Sequence, residues 1–225
     1  MTGAPRDPDH PFDLVIFDCD GVLVDSERLS TALDVELLAS LGWPITQREV
    51  IDRWVGRTDA EMRAEIGEHL GRDIGSEWEA FAERYVATFA ERLQPIPGVA
   101  GAVDAIHAAG YPTCVASSGD LAKIRRNLAT TGLLDRFDDR LVSADDVERG
   151  KPAPDLFLFA ARRFGTDPGR AAVVEDSRAG VAAGVAAGMR VFAYAGSVTP
   201  AEQLEAPRTT VFHDMAELPG LINRG

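Results

Sequence analysis

The chain has 225 residues, of which 45% are hydrophobic and 26% are charged, and these values are ordinary for a globular protein. Its length suits one large or two small domains, with enough apolar core for independent folding. The formal net charge of -13 argues against nucleic acid and against an anionic membrane surface as partners, because both attract an excess of lysine and arginine.

Targeting and redox signals are sparse. No apolar run approaches the roughly 20 residues that span a bilayer, and the polar segment from Met1 to His10 lacks the apolar core of a signal peptide. The two cysteines, Cys19 and Cys114, are at the ends of apolar runs and lack the spacing of a zinc site. We therefore expect a cytoplasmic protein with reduced, buried thiols. We also expect a monomer or a weak dimer.

The first apolar run ends in two acidic residues. Leu14 to Phe17 are four consecutive apolar residues, a pattern typical of a parallel strand that is covered on both faces. Asp18 and Asp20 follow it, and the alternation of a strand directs both to the same side. Two carboxylates this close repel each other. This repulsion is tolerable if a divalent cation lies between them or if one carboxyl keeps its proton. The alternative for an isolated Asp-x-Asp is a solvated strand end before a glycine turn.

After Glu27 the pattern changes from strand to helix. Leucines recur at helical spacing as far as Leu41, and Gly42 with Pro44 ends that helix. Further helices are predicted at 46–54, 59–70 and 76–92, with no convincing strand among them, and the proline-rich segment 93–98 is typical of a linker.

Beyond the linker, helices and strands alternate. The predicted helices are at 99–109, 121–131, 154–164 and 179–187, the predicted strands are at 113–116, 140–143, 172–174 and 190–193, and the tail 209–221 adds a short strand and a helix. Repeated βα units favour a mostly parallel sheet with helices on both faces. We predict an α/β fold with a Rossmann-like core, residues 1–26 and 97–225, interrupted by a helical domain, residues 27–96.

Val115-Ala-Ser-Ser-Gly119 comes at the end of the second core strand and opens a helix. A hydroxyl and free backbone N–H groups at a helix N-terminus can bind phosphate, which makes Ser117 and Ser118 candidate phosphate ligands. Ser117 could equally be an N-cap residue without a ligand.

Lys151 lies between Gly150 and Pro152. In this position its backbone is fixed before any ligand arrives. Such a lysine can direct its charge to a phosphoryl group and to the carboxylate that attacks it. The alternative is a solvated lysine in a proline-rich loop.

Glu175 and Asp176 follow another apolar strand and precede Ser177, Gly180 and an alanine-rich helix. Because the carboxyl ends of parallel strands share one edge of the sheet, these acids can bring a further carboxylate to a cation held by Asp18. Paired acids in a surface turn are the common alternative.

Together, the Asp18-Cys-Asp20 pair, Ser117, the Gly150-Lys-Pro152 loop and Glu175-Asp176 resemble the four signature motifs of the haloacid dehalogenase superfamily, in the usual order. The helical insert after the first motif resembles the C1-type cap of the subfamily that holds phosphoglycolate phosphatases, sugar-phosphate phosphatases and β-phosphoglucomutase. The resemblance implies a Rossmann-like catalytic core with a cap domain.

It also implies roles for individual residues. Asp18 corresponds to the nucleophile of the family and Asp20 to the general acid/base, while Ser117, Ser118 and Lys151 bind the phosphate. The resemblance implies a Mg²⁺ ion held by the Asp18 carboxylate, the Asp20 backbone carbonyl and Asp176, with Glu175 in support. The implied metal residues are Asp18, Asp20, Glu175 and Asp176.

Three functions are compatible with these motifs. A phosphatase that acts through an aspartyl phosphate is favoured over a phosphomutase, because Ser30 occupies the position of the mutase's cap histidine and the Ser117–Asp120 loop lacks the mutase's Lys-Asn pair. Dehalogenases of the family lack an acid at the position of Asp20, so the acid at this position argues against hydrolysis of a carbon–halogen bond. A non-catalytic binding module with the same fold is the alternative from another class, although every catalytic position is filled.

The expected substrate is a small phosphorylated sugar or sugar acid. The segment Phe17–Gly21 and the ending 211–219 are similar to those of bacterial 6-phosphogluconate phosphatases. In the helical insert, Arg57 of Gly56-Arg-Thr58 is a candidate contact to the part of the substrate that does not react, with a solvated arginine as the alternative.

Overall fold

The computed structural model describes residues 10–54 and 59–225. It divides into two compact units. The core unit contains the chain up to Asp25 together with Gln94–Gly225, and the helical unit contains Ser26–Leu93.

The core unit is built on a parallel six-stranded sheet. The strands are β1 (Leu14–Phe17), β2 (Thr113–Ser117), β3 (Leu141–Ser143), β4 (Ala171–Glu175), β5 (Arg190–Tyr194) and β6 (Thr209–Phe212), in the spatial order β3-β2-β1-β4-β5-β6. All five neighbouring pairs are parallel. The prediction of an α/β, Rossmann-like fold is confirmed.

Helices alternate with these strands. In chain order the helices of the described residues are α1 (Ser26–Ser40), α2 (Gln47–Trp54), α3 (Asp59–Leu70), α4 (Gly75–Arg92), α5 (Val99–Ala108), α6 (Leu121–Thr130), α7 (Asp155–Arg163), α8 (Arg178–Ala186) and α9 (Leu218–Arg224). The first four belong to the helical unit and the other five to the core unit.

The central strand β1 lies between β2 and β4, with Ile16 paired to Cys114 on one side and to Val173 on the other. All four residues of β1 are buried. Ile16 packs into an apolar cluster to which α7 and α8 also contribute, and the Phe17 ring lies 5.9 Å from that of Phe137. The unbroken apolar run therefore reflects a strand buried on both faces.

The helical unit has its own apolar cluster, formed by Leu38, Val50, Trp54, Met62, Ile66 and Ile74. The other two tryptophans, Trp43 and Trp78, are partly buried against it. The Trp54 indole N–H donates to the Glu65 carboxylate at 3.2 Å, so its polar edge is satisfied.

Within the described residues, none of the helices combines the length and apolar character that crossing a bilayer requires.

Candidate active site

Acidic side chains from two neighbouring strands meet at the carboxyl edge of the sheet. Asp18 directly follows β1, and its backbone N–H donates to the Val174 carbonyl at 2.9 Å, which extends the pairing with β4. Glu175 is the last residue of β4, and Asp176 follows it. One carboxylate oxygen from each of Asp18, Glu175 and Asp176 can be chosen so that all three lie within 4.8 Å of one another.

Lys151 lies among these acids. Its ammonium donates to Asp18 Oδ1 at 2.6 Å, to Glu175 Oε1 at 2.7 Å and to the Ala116 carbonyl at 3.4 Å. These are three acceptors for its three donors. Its side chain is only 5% exposed. We call Asp18, Lys151, Glu175 and Asp176 the carboxylate site.

The charges of the carboxylate site do not cancel. Burial raises the pKa of the Asp18 carboxyl from its ordinary value of 3.8 to about 7, and repulsion from Glu175 adds to this effect, while attraction to Lys151 opposes it. Burial also opposes the charge on Lys151, but attraction to Asp18 and Glu175 outweighs it and raises the pKa of the ammonium. The lysine therefore stays charged, and the site has an excess of negative charge.

Glu175 holds the loop that carries Asp176. Its Oε2 accepts the backbone N–H groups of Asp176 and Ser177, each at 2.7 Å, and the Ser177 hydroxyl at 3.0 Å. Gly180 lies so close that a Cβ there would collide with the Glu175 carboxylate. Because both of its oxygens already accept hydrogen bonds, Glu175 is better suited to orienting Lys151 and this loop than to direct metal binding.

Ser117 is the last residue of β2 and is buried. Its hydroxyl accepts the backbone N–H of Gly119 at 3.1 Å. It is not the N-cap of α6, because that position belongs to Asp120, whose carboxylate accepts the Lys123 backbone N–H at 2.7 Å. Ser118 is exposed at the end of the strand.

Asp20 has partners that the motifs did not predict. Its carboxylate accepts the Lys123 ammonium on Oδ2 at 2.8 Å, and the side-chain nitrogen of Asn127 lies 3.5 Å from Oδ1. Both partners come from α6 and are four residues apart, the spacing that puts side chains on one helix face. That spacing, next to a motif strand, is the sequence signal that could have identified them.

The same region matches known proteins. A family model described as haloacid dehalogenase-like hydrolase matches residues 12–188. The chain belongs to the haloacid dehalogenase-like hydrolases. The recognition made from the motifs is thereby confirmed.

Individual relatives of this haloacid dehalogenase-like hydrolase differ in length. It is 32% identical over 209 residues to the 6-phosphogluconate phosphatase of Escherichia coli, and this match covers 92% of the chain and 93% of the relative. It is 34% identical over 209 residues to the chloroplastic protein SUPPRESSOR OF QUENCHING 1 of Arabidopsis thaliana, covering 91% of the chain but only 20% of that protein. The chain therefore spans nearly all of one relative and a small part of the other.

Solved structures of haloacid dehalogenase-like proteins share the architecture. A family hydrolase from Deinococcus radiodurans, crystallised with bound phosphate and sodium, is 29% identical and has a TM-score of 0.85, with 96% of each chain covered.

The cysteines of this haloacid dehalogenase-like hydrolase are free and buried. Burial raises the pKa of the Cys19 thiol well above its ordinary value, and repulsion from Asp20 and Asp18 adds to the shift. Burial likewise raises the pKa of Cys114 to about 12. Neither thiol is therefore a nucleophile at neutral pH.

The predicted contact Arg57 lies outside the residues that the structure describes.

Proposed function

We propose that this chain is a Mg²⁺-dependent phosphatase that hydrolyses a small phosphorylated sugar or sugar acid through an aspartyl-phosphate intermediate. Its enzyme class is that of a phosphoric monoester hydrolase, in keeping with its family and with the phosphatase of Escherichia coli that it resembles over nearly its full length.

The observation that supports the proposal most strongly is the pairing of Asp18 with Lys151. A carboxylate that attacks a phosphate brings two anions together, so a fixed cation has to offset their repulsion. Lys151 Nζ lies 2.6 Å from Asp18 Oδ1 and 2.7 Å from Glu175 Oε1. The ammonium is thus held beside the proposed nucleophile before any substrate arrives, at no cost in side-chain ordering during the reaction.

In the proposed reaction, an Asp18 oxygen forms a bond to phosphorus while the bond from phosphorus to the substrate oxygen breaks. Asp20 gives a proton to the departing oxygen and then takes a proton from the water that hydrolyses the aspartyl phosphate. Lys151 exchanges its long contact to the Ala116 carbonyl, 3.4 Å, for a phosphoryl oxygen, and the Ser117 hydroxyl and the backbone N–H groups that follow it bind the phosphoryl group as well. The products are the free alcohol and inorganic phosphate, and Asp18 is regenerated.

The carboxylate site fits Mg²⁺. Hard divalent cations take carboxylate and carbonyl oxygens, and a bound cation would offset both causes that raise the pKa of Asp18 to about 7, its burial and the repulsion from Glu175. The proposed ligands are the carboxylates of Asp18 and Asp176 and the backbone carbonyl of Asp20, with Glu175 in support. The ion would supply positive charge that stabilises the transferring phosphoryl group.

The helical unit is proposed to act as the cap, with Arg57 as its contact to the substrate. Closure of such a domain would exclude bulk water and keep the aspartyl phosphate from unwanted acceptors.

The proposal is tested by measuring released phosphate for the purified protein against a panel of phosphorylated metabolites, with Mg²⁺ and with EDTA. We expect turnover of sugar phosphates or sugar-acid phosphates that needs Mg²⁺. A preference for nucleotides or phosphoproteins would contradict the substrate class. Conversion of a sugar 1-phosphate into the 6-phosphate without release of phosphate would contradict hydrolysis.

The intermediate is tested by quenching a reaction in acid, reducing the protein with borohydride and analysing its peptides by mass spectrometry. Reduction of an aspartyl phosphate converts that residue to homoserine, and we expect this mass change at Asp18 alone. The Asp18→Asn variant should keep its fold and turn over no substrate, whereas Asp139→Asn, at an exposed position of the same unit, should behave as wild type. Full activity of Asp18→Asn would refute the mechanism.

A further inference from the structure

Helix α6 directs two side chains at the carboxylate of Asp20. Lys123 Nζ lies 2.8 Å from Oδ2, and Asn127 Nδ2 lies 3.5 Å from Oδ1. Asn127 is buried, at 3% exposure, and the Asp20 side chain is only 19% exposed. Each carboxylate oxygen of Asp20 thus faces a different donor on one helix face.

The helix that supplies these donors is well anchored. Its N-cap residue, Asp120, accepts the backbone N–H of Lys123, and Ile124 and Leu128 are buried beneath it. The Lys123 contact is short and joins two charged groups, so it is the stronger of the two, while the Asn127 contact is at the long end of hydrogen-bond distances. Contacts at both oxygens restrict the rotation of the Asp20 carboxylate.

Lysine is rare in this chain, which makes a lysine at position 123 notable. Of its 23 lysine and arginine residues, only Lys123 and Lys151 are lysines. Lys151 contacts Asp18 and Lys123 contacts Asp20, so both lysines contact an acid of the first motif. A guanidinium tends to take both oxygens of a carboxylate with its planar fork, whereas an ammonium is a compact charge that can take one and leave the other to a second partner.

We propose that Lys123 is a positioning residue that holds the Asp20 carboxylate in the orientation needed for proton transfer to the departing oxygen. This inference rests on the proposed phosphatase function, in which Asp20 is the acid and base. Proton transfer is sensitive to small displacements of the donor, so a loosened Asp20 transfers its proton less efficiently even though the residue itself is unchanged.

The test compares Lys123→Met with Arg126→Met, an exposed position on the same helix where the same loss of charge occurs. The measured quantity is kcat/KM, which reports the steps up to departure of the alcohol. Two substrates are used: p-nitrophenyl phosphate, whose phenolate leaves without a proton, and the phosphorylated sugar with the highest turnover in the panel. Thermal unfolding of each variant verifies that it is folded.

For Lys123→Met we expect kcat/KM to fall about 10- to 100-fold for the sugar phosphate and to stay within about threefold of wild type for p-nitrophenyl phosphate. Arg126→Met should match wild type with both substrates. Equal losses with both substrates, or no loss with either, would overturn the positioning role. A wild-type protein that hydrolyses neither substrate would instead overturn the proposed function, and the role of Lys123 with it.

Inhibition by inorganic phosphate distinguishes positioning from phosphate binding. If Lys123 only orients Asp20, its replacement leaves the Ki of inorganic phosphate unchanged. A Ki raised as strongly as the sugar-phosphate kcat/KM is lowered would assign Lys123 to phosphate binding and overturn the inference.

The pair can also be observed without turnover. Protein labelled with ¹³C at the lysine ε-carbons should give two side-chain NMR signals, because the chain has two lysines. Lys123→Met assigns one of them. We expect Asp20→Asn to shift the Lys123 signal and to leave that of Lys151 nearly unchanged. No shift at Lys123 would show that the pair is not formed in solution and would overturn the inference.

Discussion

The Asp176 carboxylate fills the space that a side chain at Gly21 would need. A Cβ built on Gly21 would collide with that carboxylate, and the backbone of Gly21 has a φ of +78°, which side chains rarely adopt. A glycine is therefore needed at position 21 for two reasons, the backbone conformation of the turn and the space taken by the Asp176 side chain. The first and fourth motifs thus pack against each other.

Gly21→Ala should therefore lower both stability and activity. The matched control is Gly132→Ala, where φ is +69° and nothing lies within 4 Å of the new Cβ. The control should cost about 1–2 kcal/mol for its backbone conformation alone. Gly21→Ala should cost about 1–3 kcal/mol more because of overpacking, and should lose most of its phosphatase turnover. Urea unfolding and phosphate release measure these effects, and equal stability losses would contradict the collision.

Lys151→Met should destabilise the metal-free protein strongly. It would leave the Asp18 and Glu175 carboxylates buried without their cation, and removal of one partner from a buried ionic cluster costs about 3–5 kcal/mol. Arg126→Met, which removes an exposed charge, should change the free energy of unfolding by less than about 0.5 kcal/mol.

The double variant Lys151→Met/Glu175→Gln tests whether the loss is electrostatic. Glu175→Gln removes one of the two carboxylates that Lys151→Met leaves without a cation, so it should recover part of the lost stability. Urea unfolding in EDTA should therefore show a coupling energy of about 1–3 kcal/mol between the two substitutions. Additive losses would mean that Lys151 stabilises the fold through packing rather than through charge.

The pH dependence of stability should identify Asp18. Its folded pKa of about 7 exceeds the ordinary 3.8, so between these pH values the folded protein binds more protons than the unfolded chain. The contribution of Asp18 to stability is therefore present at low pH and is lost as pH rises towards 7. Relative to wild type in EDTA, Asp18→Asn should gain stability across this interval, by an amount on the order of a few kcal/mol, and then level off.

Asp139→Asn, which removes an exposed carboxylate, is the control for the substitution itself. Added Mg²⁺ should stabilise the wild type more than Asp18→Asn, since the ion needs the carboxylate. If the difference in the free energy of unfolding between Asp18→Asn and wild type does not change with pH in EDTA, the Asp18 carboxyl has an ordinary pKa.

Arg57→Ala tests the proposed substrate contact of the helical unit. If the side chain meets the part of the substrate that does not react, KM for the preferred sugar phosphate should rise about tenfold, with little change in kcat and little change for p-nitrophenyl phosphate. Arg48→Ala, at an exposed position of α2, is the control. Unchanged KM values would remove Arg57 from the substrate site.

Much of the fold could be predicted because its signals are local. The strand predicted at Leu14 to Phe17 has the bounds of β1, and the helix predicted at 59–70 has those of α3. Runs of apolar residues, their period and the glycines and prolines that end them depend on neighbouring residues alone. The ends of the elements also depend on tertiary pairing. The fourth strand is predicted at 172–174, but β4 extends through Glu175, because pairing with Ala193 of β5 continues the strand to that residue.

The sequence by itself determined the fold class, the family and the identity of the candidate acids, because motif order and apolar periodicity are written along the chain. Only the tertiary structure decided which charges meet. Lys151 reaches Asp18 across 133 positions of sequence, and Lys123 reaches Asp20 across 103. The pKa of Asp18 follows from its burial and from the charges around it in three dimensions. The four-residue spacing of Lys123 and Asn127 places them on one face of α6, but only the tertiary structure brings that face to Asp20.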